Sequence, residues 1–482
     1  MPWWVLKRKI HISWLITILC VSLSIGVCLA LYVNSFSLWW YLVISLVFTA
    51  IGLWKRRLYL IPLIIIGGML FGLWRGSLAQ ADLVQFQPFY GQIVQIKGSV
   101  KDDADTDSSG KMSVYLNDLT VDEISMSGIV SATVAESDIK RGDILSVEGK
   151  LQKGFGNYAG SIYEAKIIEI VRPEPGDIAR EVRDWFAEAV KKAIDEPESS
   201  LGLGFLLGQR KALPVDLVIA LQTVGLTHIV VASGYNLTVL VRFARRIFVK
   251  ISKYLATLSA MIMIFGFVMI TGLSPSMSRA GFVATISLLA WYYGRKFHPI
   301  TLLAIAMAVT LVFNPSYGWG DIGWQLSFAA FGGVMIVSPL AQRYLFGDKK
   351  PGFIGQTLSE TISAQLTTAP VLIMAFGQIS NIAVLSNLMV LPLVPLAMLL
   401  TFIAGVGGLV LPSFAKFIGL PALWLLKYMI EVIRRFADLP WAVSATKIEI
   451  WPVLAYYSGL VVICVYMSYK TKYKLRDTNL VE

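Results

Sequence analysis

Apolar runs long enough to enter a bilayer recur along the whole chain, among them Ile10–Tyr32, Leu38–Trp54, Leu58–Trp74, Leu255–Leu273, Ile300–Phe313 and Ile450–Met467. Hydrocarbon offers no partner to a backbone N–H or C=O, so each run must satisfy its own backbone, and a single segment can do that only as a helix. Composition agrees. Hydrophobic residues make up 56% of the 482 and charged residues 15%, against roughly a quarter charged in an ordinary soluble domain. The expected class is a polytopic α-helical membrane protein of about ten spans, at ~20 apolar residues each.

The net charge is +11, and its placement sets orientation, because Lys and Arg next to spans stay in the cytoplasm. Lys7, Arg8 and Lys9 precede the first run, and Lys55, Arg56 and Arg57 follow the second. Further basic clusters lie at Arg242–Lys253, at Arg295 and Lys296, at Arg343–Lys350 and at Lys470–Arg476. These place both termini in the cytoplasm and the N-terminal run as an uncleaved signal anchor. Some spans are broken or re-entrant: Pro392 and Pro395 interrupt Ile382–Val410, and Leu201–Leu207 is short and bears Gly202, Gly204 and Gly208. Leu420–Phe436 carries Lys427, Glu431, Arg434 and Arg435, which suits a surface-lying helix.

Five domains follow: N-terminal spans over 1–78, a strand-rich domain over 79–176, an amphipathic interface helix over 177–198, a second set of spans over 199–470 and a cytoplasmic tail over 471–482. The strand-rich domain is expected outside the cell. Alternation in Ile93–Val100 and turn signals at Asp107–Gly110 and Arg141–Asp143 predict about five short strands, enough for a small β-barrel of the oligonucleotide/oligosaccharide-binding kind. Residues 80–176 hold 9 Lys and Arg against 15 Asp and Glu, a net of −6. Weak nucleic-acid contact and a structural or gating role both stay open for it. In the helix over 177–198, Ile178, Val182, Trp185, Phe186, Ala189, Val190 and Ala193 are expected on one face, with Arg180 and Arg183 on the other.

Polarity within the spans is where function is expected. Thr227–Val241 carries His228, Ser233, Gly234 and Asn236, and polar groups in hydrocarbon are costly unless they face protein or water. His228 and Asn236 share a face if one helix runs through both. Gln209 and Arg210 form a polar turn, Gln325, Ser327, Gln365 and Asn387 sit in later spans, and Arg279 and Asp321 each stand at the outer end of a span. Arg279 and Asp321 are expected to pair or to flank a pore entrance. Three histidines and three cysteines (Cys20, Cys28 and Cys464) form no cluster at metal-ligand spacing, so neither metal nor cofactor is expected. Ser233 lacks a G-x-S-x-G elbow, which disfavours an intramembrane hydrolase. No Walker A motif is present, so nucleotide is not expected to be hydrolysed by this chain. A secondary transporter or envelope-handling protein stays as the rival; it would need an ion-pairable site at mid-membrane.

Five motifs in order carry a resemblance. L-G-L-G-F-L-L-G-Q-R-K-A-L-P, from Leu201, resembles a G-x-L-L-G-D-R segment. G-L-T-H-I-V-V-A-S-G-Y-N, from Gly225, resembles G-L-S-H-L-L-A-V-S-G-L-H. T-G-L-S-P-S-M-S-R-A, D-I-G-W-Q-L-S-F and A-Q-L-T-T-A-P followed by F-G-Q-I-S and N-L-M-V-L-P-L-V-P complete the set. Together they resemble the ComEC-type competence proteins. Asn236 stands where that family has His, and Gln209 where it has Asp. The resemblance implies a channel in the bacterial inner membrane that passes single-stranded DNA inward. It implies as partners a cytoplasmic helicase-like ATPase and an outside DNA receptor, with membrane lipid around it. Many such relatives end in a metallo-β-lactamase-like domain; none follows here before Glu482, so a nuclease is expected on a separate chain.

Overall fold

The computed structural model describes residues 10–33, 38–106, 111–135, 137–154, 156–174, 176–209, 213–230, 234–272, 275–295, 298–349, 351–446 and 448–471. Two compact units are present, one of residues 1–177 with 300–325, the other of 178–299 with 326–482.

The first unit opens with helices α1 (Ile12–Leu29), α2 (Leu38–Lys55) and α3 (Ile61–Val84). Gly68, Gly72 and Gly76 fall at four-residue intervals on α3 and so share one stripe, the small-residue pattern that lets helix backbones approach in a bilayer. A Cβ at Gly72 would strike Leu23 O of α1, and one at Gly26 of α1 would strike Met69 O. The backbones are therefore in direct contact along this seam.

Among the described residues ten strands follow, eight of them in one sheet: β1 (Ile93–Val100), β2 (Asp105–Thr106), β3 (Met112–Val121), β4 (Ile124–Met126), β5 (Val130–Val134), β6 (Ile144–Lys153), β7 (Gly160–Ile162) and β8 (Lys166–Val171). Five of these close a ring, because β1 pairs with β3, β3 with β5, β5 with β7, β7 with β6 and β6 again with β1. Only β5–β7 is parallel. This is the small closed barrel expected from the alternating pattern. Its core is Ile96, Leu116, Leu119, Leu145, Leu151 and Ile162, all at 1% exposure or less, with Phe86 from the end of α3 packed against it. A bulge at Gly98 breaks the β1–β3 register; a Cβ there would lie 2.9 Å from Asn117 O. Arg172 pairs with the fully buried Asp143 at 3.1 Å and with Asp138, and Arg141 pairs with Asp177 at 2.6 Å, so ion pairs close the end of the barrel that leads to the next helix.

The second unit holds α4 (Ile178–Ala193), α5 (Glu198–Leu207), α6 (Val215–Thr223), α7 (Thr227–Val230), α8 (Gly234–Phe248), α9 (Lys253–Thr271) and α10 (Pro275–Tyr292). Helices α11 (Pro299–Phe313) and α12 (Tyr317–Gly320) belong chiefly to the first unit, and α13 (Ile322–Gly332) runs from one into the other. After a π-turn at Gly333–Val337 come α14 (Ser338–Phe346), α15 (Phe353–Phe376), β9 (Gln378–Ser380), α16 (Ala383–Val390), α17 (Val394–Val410), α18 (Ala415–Ala437), β10 (Val443–Ala445) and α19 (Ile450–Thr471). Among the described residues, six helical segments have the length and apolarity that crossing a bilayer demands: Ile12–Leu29, Leu58–Phe89, Lys253–Thr271, Ile322–Phe346, Ala383–Val410 and Ile450–Thr471. Others of the expected spans, such as Trp39–Lys55 and Pro299–Phe313, are apolar but shorter.

Two expectations need amendment. The face of α4 is split: Phe186 and Val190 lie against Gly405 of α17, whereas Ile178, Val182 and Trp185 stay exposed and Arg180 and Arg183 are buried. The glycines of α17 give room for Phe186 at Gly405 and for the backbone of Ala189 at Gly408, while Trp185 stays outside, where it suits an interface. The helix over Leu420–Phe436 also buries one side, through Leu426, Met429, Ile430 and Ile433, and keeps Glu431, Arg434 and Arg435 at its surface.

Because the α1–α3 seam is backbone on backbone, Gly72→Leu should lower stability by about 1–3 kcal/mol, as overpacking does. Thermal melting of the purified protein checks this, with Gly352→Ala, which meets open space, as the neutral comparison.

Candidate functional site

A buried guanidinium lies in the second unit. Arg279 sits one turn into α10 and is 8% exposed. Its Cζ is 5.5 Å from the ring centroids of both Phe328 and Phe331 of α13, which are spaced so as to share one helix face. Its Nε has no hydrogen-bond partner among the described residues. A desolvated guanidinium is costly unless it is paired, and each desolvated cation–π contact returns up to ~2 kcal/mol. The two rings thus offset much of the cost while leaving Nε–H unused.

Other motif residues converge here. Gly234 opens α8 against Arg279: a Cβ on it would lie 3.1 Å from Ala280 Cβ and 3.6 Å from an Arg279 Nη. The Ser276 and Ser327 hydroxyls are 3.2 Å apart. Tyr235 O–H makes a longer contact, 3.4 Å, with Leu391 O at the proline break between α16 and α17.

Asn236 is fully buried, and its Nδ2 donates to Phe205 O of α5 at 2.9 Å and to Ile229 O of α7 at 3.4 Å. A residue seven positions back on one straight helix lies ~10 Å away along the axis, so α7 and α8 are not one straight helix. The condition for His228 and Asn236 to share a helical face therefore fails. His228 instead sets Nδ1 3.1 Å from Gly225 O. Gly225, at φ +72°, packs tightly on Ala383 of α16, and Ser386 donates to Val224 O at 2.7 Å. Asn387, 4% exposed, donates to Ala383 O at 2.7 Å. The second and fifth motifs are thereby held together.

The remaining expected site residues are dispersed. Gln209 donates to Asp184 of α4 at 3.2 Å. Gln365 is half-buried on α15, and Gln325 half-buried on α13. Arg210 and Ser233 lie outside the described residues. Asp321 belongs to the first unit, where it accepts from Asn157 of the barrel at 3.2 Å and caps α13 by accepting from Trp324 N at 2.6 Å. Burial raises its carboxyl above the ordinary value, opposed by the Trp324 N–H and by Lys101. Arg279 and Asp321 belong to different units, the one beside two rings and the other bonded to the barrel and a helix N-terminus. Phe328, Phe331 and Ser276 were not among the expected site residues. An F-x-x-F spacing reads as ordinary apolar helix until a cation is placed beside it.

A profile of the competence protein family matches residues 205–470. The chain belongs to that family. ComE operon protein 3 of Bacillus subtilis (strain 168) is 27% identical over 250 residues, a stretch covering 50% of this chain and 31% of that protein. The chain thus covers less than a third of this relative's length. No solved structure matches. The family match encloses the Arg279 cluster and all of the motifs from Phe205 onward, and it begins after the barrel.

Two substitutions separate packing from capping. Asn236→Ala leaves two buried carbonyls without their donor and should cost about 1–3 kcal/mol, read as a lower melting temperature in detergent. Asp321→Ala removes the α13 cap and should cost ~0.5–2 kcal/mol, whereas Asp321→Asn keeps an acceptor for Trp324 N–H and should fall within a few tenths of a kcal/mol of the native protein.

Proposed function

We propose that this protein is an inner-membrane channel for DNA uptake in natural transformation, carrying one strand inward. Membership of the competence family supports the general role. The observation that bears most on mechanism is Arg279, a buried cation with Nε–H unbonded among the described residues and with backbone at Gly234 close by. A phosphate oxygen is the natural acceptor for such a donor, because charge-assisted Arg–phosphate bonds are strong and geometrically specific. The Phe328 and Phe331 rings beside it offer faces on which bases stack, which is sequence-tolerant.

In this reading Gly234, Asn236, Ser327, Gln365 and Asn387 shape the path, with Gln209, Arg210, His228, Ser233 and Gln325 along it and Asp321 near its outer end. The cavity beside Thr227 and Val230 is only about 10 Å3, room for roughly one water. Passage of a strand therefore requires the segments there to part. The barrel lies outside the cell and both termini inside. Energy comes from a separate cytoplasmic ATPase, DNA is delivered by an outside receptor, and no chemistry is assigned to the channel itself.

Uptake of labelled DNA in a deletion strain complemented with wild type, Arg279→Ala or Arg279→Lys tests this. Arg279→Ala should lower uptake tenfold or more, the equivalent of ~1.4 kcal/mol. Arg279→Lys should be intermediate, since Lys lacks the planar fork. Native uptake by Arg279→Ala at equal membrane abundance would overturn the assignment of Arg279, and undiminished uptake in the deletion strain would overturn the function.

A further inference from the structure

A groove in the second unit has none of these residues in its lining. Helices α14, α15 and α19 bound a cavity of about 580 Å3, lined by apolar side chains such as Phe346, Leu358, Ile362, Leu460 and Ile463. That volume lies within the ~300–1,000 Å3 of small-molecule sites.

Its two ends differ. At one end Tyr456 O–H donates to Leu366 O at 3.0 Å and Tyr457 O–H to Thr367 O at 2.8 Å. Pro370 lies inside α15 and has no N–H for the carbonyl four residues back, which is Leu366, so Tyr456 supplies the donor that the helix lacks. At the other end Lys470 Nζ lies 3.3 Å from Tyr344 Oη and 5.0 and 5.9 Å from the rings of Tyr344 and Tyr466. Arg343 is on the same last turn of α14, paired with Asp348. From Tyr456 to Met467, both lining residues, α19 rises roughly 16 Å. A bilayer core is ~30 Å thick, so the apolar length matches one leaflet. It ends at a Lys–Tyr cluster of the kind that sits at headgroup level.

We propose that this groove binds one anionic phospholipid, its acyl chain along α19 and its phosphate at Lys470. The fit in length selects a lipid chain over a peptide, and the cation at the end of the groove selects an anionic headgroup over a zwitterionic one. The site does not depend on the DNA reading; it requires only that α19 cross the membrane. Bound there, the lipid fills the space between α19 and α15 that protein side chains leave open.

Gly459 makes the test specific, because it lines the groove and a Cβ on it meets nothing within 4 Å. Gly459→Phe therefore fills the groove without a backbone clash, and it removes a glycine from a helix interior, which favours the helix. The full-length protein, purified and stripped of lipid, is titrated with phosphatidylglycerol, phosphatidylcholine and inorganic phosphate, with bound species counted by native mass spectrometry. Phosphatidylglycerol should bind at one saturable site. Lys470→Ala should weaken it roughly fivefold, the worth of one interfacial cation, and abolish the preference over phosphatidylcholine. Gly459→Phe should weaken both lipids at least tenfold while the melting temperature is held. Should Gly459→Phe melt early, Ala455→Phe, on the same wall, takes its place. Undiminished lipid binding in the filled variant overturns the proposal. So does equal binding of the two lipids by wild type, or competition by inorganic phosphate alone.

Discussion

A carbonyl released inside a bilayer helix has to find another donor, and the second unit is arranged around that requirement. Pro370 frees Leu366 O, which Tyr456 bonds from α19. Ile229 O, near the end of α7, accepts from Asn236 of α8, which also holds Phe205 O. At the break between α16 and α17, Leu391 O takes the Val394 N–H and a longer contact from Tyr235. Each of these three carbonyls is thus tied to a side chain of another segment. A helix bundle so connected keeps its breaks fixed in position, and the breaks are where the motif residues sit.

The sequence revealed the elements more readily than their contacts. Alternation in Ile93–Val100 shows directly as alternating burial along β1, because a half-buried strand has a period of two that few other structures share. The long apolar runs likewise became helices. The six segments that meet the length of a span and the shorter ones around them show where run length stops being informative. A short buried helix such as α5, with every residue from Ser199 to Leu207 buried, needs neighbours on all sides, and hydropathy does not report neighbours. The Gly68, Gly72 and Gly76 stripe was equally visible as spacing. That its partner is α1 was not.

The site was legible as a set of residues and much less so as a geometry. Motif order placed Gly234, Asn236, Arg279 and Ser327 together in one region, and the second unit holds all four. Two opposite charges at the ends of neighbouring spans, Arg279 and Asp321, invited a pairing. Local physics is clear for one of them: a carboxylate one residue before a helix caps it, and Asp321 does so at 2.6 Å. Arg279 has two aromatic rings in place of that carboxylate. Which counter-group a buried cation meets is a tertiary fact, and a period of 3.6 residues cannot supply it.

Asn236 bears on how the cluster works. An amide donates to Phe205 O and Ile229 O without any change of charge, so these links from α8 to α5 and α7 persist across the whole physiological pH range. A histidine at this position would donate from both ring nitrogens only when protonated, and burial among carbonyls and apolar groups disfavours or favours that form according to small changes around it. The amide is therefore a fixed structural link, and Arg279 is left as the charged group of the cluster. In the proposed channel the strand's phosphates meet one permanent cation and two ring faces, a combination that attracts every nucleotide alike and holds none by its base edge. That suits a passage better than a binding site, because a conduit works only where each contact is strong enough to admit the strand and generic enough to release it.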